Sequence, residues 1–398
     1  MSGRGKIVRF DGTAIPRAIV GGIGCRTQIA AEADSLGAKR IAVVCSRSVK
    51  TKTPFVDEIC RSLDRRVVTV FDEVEPNSPV VAIRAAVDTI AAAGPDSMLS
   101  IGGGAVHDLA KAIAVMLPSG RSIVDFVSRF EPPDTFHGAD VDVEPLPVMT
   151  VPTTLSAAEV VGGGAVTDTE RGEKLIFVHP KLTPARVFLD GELVASTPLS
   201  ILAASGLNSV HHCLEAFYSK GAQPITDAFA LAALRGLLAT LPALERASKD
   251  RRLDVFQNAV NASALSGLTY ANSWLGIGHS VCHSLGGRYG VPHGEANAVM
   301  LPQSLRFNFE VAKDRLAAAG RAVGLSVSEE DDEAANALVR RIDDLVRTLG
   351  TPRRLRDLGL PDDQFDRIAT DVLGDPQTYW NPRSASREQI IEWLRSAW

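Results

Sequence analysis

SMLSIGGGAVHDLAK, residues 97–111, decides the fold. A run with the character of a buried strand ends in Gly102-Gly103-Gly104, and a stretch with helical spacing follows at once. Glycines let the backbone close on a ligand, and a helix N-terminus offers free N–H groups and the positive end of a dipole. The combination suits a pyrophosphate; a plain turn is the alternative. The motif is not a P-loop, because GxxxxGK[ST] is missing, and it lacks the third glycine of GxGxxG. Asp108 and Lys111 lie one turn apart on the helix. They read either as a surface ion pair or as residues packed beside a cofactor.

Outward from this turn, 41–46, 66–72, 146–154 and 185–190 read as further strands, separated by helical stretches. That alternation implies right-handed crossovers and a parallel sheet. From Leu199 onward the chain is Ala- and Leu-rich with apolar residues three and four apart, as in 230–247 and 335–350. Pro198 suits the start of that section. The spacing therefore predicts an α/β domain over 1–198 and an all-helical domain over 199–398. The polar, proline-bearing stretch 128–145 reads as an exposed loop.

The chain has 398 residues, 45% hydrophobic and 22% charged, which excludes disorder and coiled coil. A net charge of −5 argues against a nucleic-acid partner. Five cysteines without a CxxC pair predict no disulfide framework and a cytoplasmic setting. The start, MSGRGKIVRFDG, has no signal-peptide core, and no run of 18 apolar residues points to a membrane.

A second strand end, Val151-Pro152-Thr153-Thr154, leads into Leu155-Ser156-Ala157-Ala158-Glu159. Ser156 and Glu159 have capping-box spacing, which predicts a helix start. The other reading puts the Thr153 and Thr154 hydroxyls beside a nicotinamide, since ligands of open α/β sheets bind at the carboxyl ends of strands. Five of the eight histidines fall in two short pieces of the helical half. Asn208 and His212 are four apart, as are His279 and His283, so each pair shares a helix face. His293 follows a glycine-rich break and can fold back toward them. The spacing predicts a shared pocket, with metal ligation, acid–base work and anion binding as its uses.

Taken together, GGGAVHDLAK (102–111), VPTT (151–154), the helix around Asn208 and His212, and HSVCHSLGGRYGVPHGEANAVMLP (279–302) resemble the iron-containing alcohol dehydrogenase superfamily. The resemblance runs from AIVGGIG to NPR at 381–383 and extends to the maleylacetate reductase branch. It implies a Rossmann-like N-terminal domain, a helical C-terminal domain and a nicotinamide cofactor, NADH or NADPH. It also implies a homodimer acting on a small-molecule substrate. The cofactor-binding set it implies is Gly102, Gly103, Gly104, Asp108, Ser46, Asn77, Thr153, Thr154 and Ser156. Metal-dependent members hold iron or zinc with an Asp and three His. Carried over, these are Asn208, His212, His279 and His293, with His283 as the additional active-site histidine.

The aspartate has become Asn208, a neutral amide and a weaker ligand for a dication. Asn here, the short Thr-Thr-Leu-Ser-Ala-Ala-Glu stretch and Cys282-His283 look like the maleylacetate reductases, which work without metal. Gly104-Ala105-Val106-His107-Asp108 and Pro292-His293-Gly294-Glu295 look more like the alcohol dehydrogenases. The expectation is an NAD(P)H-dependent reductase of an oxo acid or enoate such as maleylacetate, its histidines partly protonated to supply donors. The alternatives are a metal-dependent alcohol dehydrogenase, a dehydroquinate-synthase-like cyclase and a non-catalytic dinucleotide-binding protein. Where NAD-selective relatives carry Asp, Ser46 removes repulsion of a 2′-phosphate and Arg47 is placed to pair with one.

Overall fold

The computed structural model describes residues 14–398; the leader reading at 1–12 falls outside them. Among the described residues ten strands form in chain order. They are β1 (Ala18–Gly21), β2 (Ile41–Cys45), β3 (Val67–Phe71), β4 (Ser97–Gly102), β5 (Arg129–Glu131), β6 (Thr135–His137), β7 (Val148–Pro152), β8 (Gly163–Asp168), β9 (Glu173–Val178) and β10 (Arg186–Leu189). Six make one parallel sheet in the order β1-β10-β7-β4-β2-β3. A parallel sheet is covered on both faces, so its central strands β2, β4 and β7 are buried throughout and mostly apolar. In β2, Ala42 and Val44 pack toward Ile83, Ile90 and Ile113. Ile41, Val43 and Cys45 pack the other way, toward Ile29, Ile59 and Leu63.

The β4 strand delivers Gly102 to the sheet's carboxyl edge, where the helix Gly104–Ser119 begins. From Leu199 onward the structure is helical. The helices Leu199–Tyr218, Leu253–Tyr270, Ile277–Tyr289 and His293–Ala322 carry or back the site. The stretch Pro224–Lys249 is long and apolar enough to cross a membrane by composition alone. Its Ala230, Leu234, Leu237 and Leu241 are instead buried in the helical core.

Three elements depart from the sequence reading. β1 is a four-residue edge strand with alternating exposure, too short to show a period. The β8–β9 hairpin pairs antiparallel beside the main sheet, in a segment the βα alternation passes over. The stretch 128–145 is not simply an exposed loop, because it folds into the small β5–β6 hairpin. Phe136 of β6 lies 4.8 Å from the Trp274 ring and 5.9 Å from the Trp380 ring. Trp274 and Trp380 stack at 5.5 Å with 3° between their planes. Local polarity hid this, because both tryptophans come from the helical half.

Candidate active site

A cavity of about 570 Å³ runs from the glycine turn to the histidines. At one end its wall includes Ser46, Asn77, Gly103, Gly104 and Asp108. Thr154 and Ser156 line the middle. Their hydroxyl oxygens are buried with no hydrogen-bond partner among the described residues. Buried hydroxyls are seldom left unbonded, so the pair, beside a glycine cradle at a helix N-terminus, fits a polar ligand such as a dinucleotide.

Two residues expected at the cofactor do not reach the cavity. A Cβ on Gly102 would stand 2.6 Å from Val106 Cγ2, so this glycine lets the helix pack onto the strand. Thr153 is buried, and its carbonyl accepts a bond from Thr197 Oγ1 at 2.7 Å. Gly103 is the cradle's own glycine, and a Cβ there would meet Thr154 Cγ2 at 3.1 Å. Gly103→Val is therefore expected to raise the KM for NADH at least about tenfold with the fold retained, at some cost in melting temperature because Thr154 must give way. Steady-state kinetics and a thermal scan check it.

Two further readings change. Lys111 is fully buried, so its 3.5 Å approach to Asp108 is no surface ion pair. Its Nζ donates to the carbonyls of Ala158, Val161 and Gly163, while Asp108 accepts from the Ala165 N–H. The capping box at Ser156 also fails. Ala157, in a left-handed conformation, precedes a short 3-10 turn, Ala158–Val160. Glu159 of that turn is fully buried with both carboxyl oxygens unbonded, and burial pushes its pKa up to about 7.

The far end of the cavity holds Asn208, His212, His279, His283 and His293. Helical spacing places the first two on one helix and His279 and His283 on another; Gly290, at φ 68°, ends the latter and lets His293 open the next helix. Ring centroids of His279 lie 5.0 Å from His212, 6.5 Å from His283 and 5.9 Å from His293. His279 Nδ1 bonds Glu215 Oε2 at 2.7 Å, leaving Nε2 facing Asn208 Oδ1 at 3.4 Å. His283 Nδ1 bonds Asp375 Oδ2 at 2.8 Å. His293 Nε2 meets the Asn297 amide at 3.1 Å, and His212 Nδ1 has no partner among the described residues.

These histidines are not the charged set expected. Burial, with His211 and the neighbouring rings adding, lowers His279 to about 4. Burial and the same ring cluster hold His212 and His293 well below the usual histidine range. All three are neutral at neutral pH, because dry surroundings disfavour the imidazolium.

Nor do His212, His279 and His293 make a metal site as they stand. The trio whose ligand atoms lie within 4.8 Å of one another is His211, Glu215 and His279. Glu215 there is already saturated, accepting from the N–H groups of Gly276, Gly278 and His279 besides the His279 ring. His211 is engaged by Asn297 at 2.6 Å and Ser304 at 2.8 Å. The trio is a hydrogen-bonded scaffold beneath the cavity. Around the cavity itself the donor set is one amide and neutral imidazoles, one of them held by Asn297. It lacks a carboxylate, and the Asn208 amide is a weaker ligand for an iron or zinc dication than an aspartate, so the set fits such an ion less well.

Sequence reasoning missed three groups. Glu215 and Asp375 are 64 and 92 residues from the histidines they hold; no local pattern links them, although Glu215 falls on the Asn208–His212 helix face one turn on. Lys174, on the overlooked hairpin, lines the cavity, its Nζ donating to the Asn77 carbonyl at 3.2 Å and to Thr167 Oγ1 at 3.3 Å. Desolvation, partly offset by Asp108, brings it down to about 8, so it is mostly charged at neutral pH. Arg47 is exposed and faces Glu73 at 3.4 Å and Asp72 at 3.8 Å, which weakens its claim on a 2′-phosphate.

Two family models cover the chain. The iron-containing alcohol dehydrogenase model matches residues 16–191, and the C-terminal model of the Fe-containing alcohol dehydrogenase family matches 202–398. Lactaldehyde reductase from Escherichia coli (strain K12) is 30% identical over 332 residues, 83% of this chain and 84% of that protein. A solved 1,3-propanediol oxidoreductase superposes with a TM-score of 0.89 at 27% identity, covering 99% of this chain and 100% of the other. Maleylacetate reductase from Agrobacterium tumefaciens gives 0.79 at 27% identity, covering 98% and 99%.

Proposed function

The chain belongs to the iron-containing alcohol dehydrogenase family, and from that membership we propose a metal-independent reductase of a small oxo acid or enoate, with maleylacetate as the type substrate. The observation that carries this reading is Asn208, a neutral amide facing His279 Nε2 at 3.4 Å in the place of a carboxylate ligand. When bound, the reduced nicotinamide supplies the hydride. Gly103, Gly104 and the Thr154 and Ser156 hydroxyls hold the cofactor, with Ser46 and Asn77 toward its other end. NADH is the principal cofactor; NADPH is also taken, since Ser46 does not repel a 2′-phosphate.

Lys174 places a positive charge where a substrate carboxylate needs one. The Asn208 amide N–H offers a hydrogen-bond donor to the reacting oxygen, where charge develops. The apolar walls, among them Val161, Ile201 and Leu275, keep water from the reacting carbon. Burial of four of the five free cysteines suits a reducing compartment.

The test is activity with maleylacetate and NADH in the presence of a strong chelator, alongside metal analysis. Activity is expected to survive, and Asn208→Asp to raise metal affinity. Stoichiometric iron or zinc whose removal abolishes turnover would overturn the metal-free reading. It would favour the second one, a metal-dependent aldehyde or alcohol oxidoreductase, to which the likeness to lactaldehyde reductase points.

A further inference from the structure

A second cavity, about 710 Å³, lies behind the histidines. Its wall includes Ser280, Ser284, Gly374 and Asp375. It shares His283 and Lys174 with the first cavity, so these side chains stand between the two. Of the four ring-forming histidines, His283 alone faces both spaces.

Asp375 is fastened before it meets the imidazole. Its Oδ1 accepts from Ser280 Oγ at 3.0 Å and from the Gln377 N–H at 2.8 Å, as the cap of the short helix Pro376–Trp380. Ser280 in turn accepts from Thr378 Oγ1 at 2.8 Å. Only Oδ2 is left, and it faces His283 Nδ1 at 2.8 Å. A carboxylate held this way fixes the Nδ1–H tautomer and the orientation of the ring, leaving Nε2 toward the first cavity's side. The other groups near the ring are Ser284, Lys174, His279 and His293, the last with its centroid 5.8 Å away.

We propose that Asp375 is a positioning residue that makes His283 the proton donor of the reaction, reloaded from solvent through the second cavity. This rests on the reductase reading above. Reducing the carbonyl of an oxo acid puts a hydride on carbon, from a nicotinamide that is thereby oxidised, and a proton on oxygen. Reducing the double bond of maleylacetate puts the hydride on the carbon β to the keto group and the proton on the enolate oxygen, before tautomerisation to the ketone. His283 Nε2 gives that proton and is left neutral, its Nδ1–H still on Asp375. Water in the second cavity returns one proton, and the balance closes. His212, His279 and His293 line only the first cavity, so His283 is the one ring of the four that the second cavity reaches.

The test has two arms. In ¹⁵N-histidine-labelled, ligand-free protein, the downfield Nδ1–H resonance of His283 is expected to be lost in Asp375→Asn and kept in Asp375→Glu. This arm needs no substrate, so it judges the pairing even if maleylacetate is not reduced. In the second arm, Asp375→Asn is expected to lower kcat with maleylacetate about 10–100-fold, with KM for NADH unchanged and a larger solvent isotope effect; Asp375→Glu restores part of the rate. Gly374→Phe plugs the second cavity where a Cβ meets nothing within 4 Å. It should cut kcat several-fold with the resonance intact. A resonance that persists in Asp375→Asn, or full kcat in Asp375→Asn or Gly374→Phe when the wild type is active, would overturn the proposal.

Discussion

Glu215→Gln is expected to lower kcat about 10–100-fold and to destabilise the protein by about 3–5 kcal/mol, the largest joint effect of any single substitution near the site. The carboxylate is fully buried and holds three backbone N–H groups of the turn at Gly276–His279 as well as the His279 ring. Burial alone would raise its pKa, but His211 and the bond from His279 outweigh that and hold it well below the usual carboxylate range. An amide of the same size turns an NH₂ group toward donors, leaving buried hydrogens facing one another. His279 then loses its fixed tautomer, and Nε2 no longer faces Asn208 reliably as an acceptor. A thermal scan with steady-state kinetics decides it. Wild-type kcat with lowered stability would make Glu215 a purely structural anchor.

The second large effect concerns Glu159 and pH. Its carboxyl rises from an unfolded value near 4.5 to about 7 in the folded chain, because burial desolvates it and it accepts no side-chain bond. The folded state therefore binds the proton more tightly than the unfolded state. The stability linked to this group is fully present below about pH 4.5 and is lost as pH rises through 7, a change of about 3 kcal/mol. Glu159→Gln keeps the shape without the titration, so it should flatten the fall in stability between pH 5 and 8 and raise the melting temperature at pH 8. Denaturant melts across that range measure it; parallel curves for wild type and variant would mean that Lys111, whose ammonium lies nearby, keeps the carboxylate charged.

The sheet was legible because each central strand is mostly apolar on both faces, and only a covered parallel sheet asks for that. The glycine turn was legible because chemistry and topology coincide at one strand end. Asn208, His212, His279, His283 and His293 were legible by helical arithmetic, since i,i+4 spacing fixes a face wherever the helix goes. What escaped depends on distant partners. Glu215 and Asp375 look like ordinary helix carboxylates until the fold brings a histidine to each. The charge state of the histidines escaped as well, because burial is a property of the packed molecule. Gly102 and Thr153 show the converse: one strand end offers neighbouring residues to opposite sides, and a motif alone does not say which residue faces the ligand.

The stacked rings of Trp274 and Trp380 have an optical consequence. Two indoles 5.5 Å apart and nearly parallel couple their electronic transitions, and their near-ultraviolet dichroism depends steeply on spacing and angle. Leu275 and Gln377, close by in the chain, line the cofactor cavity. Trp393 and Trp398 belong to a separate apolar cluster near the C-terminus. With only four tryptophans in the chain, the pair forms an intrinsic gauge of cleft geometry, one that reports without any label whether the β5–β6 hairpin and the helical half shift together as the cavity fills.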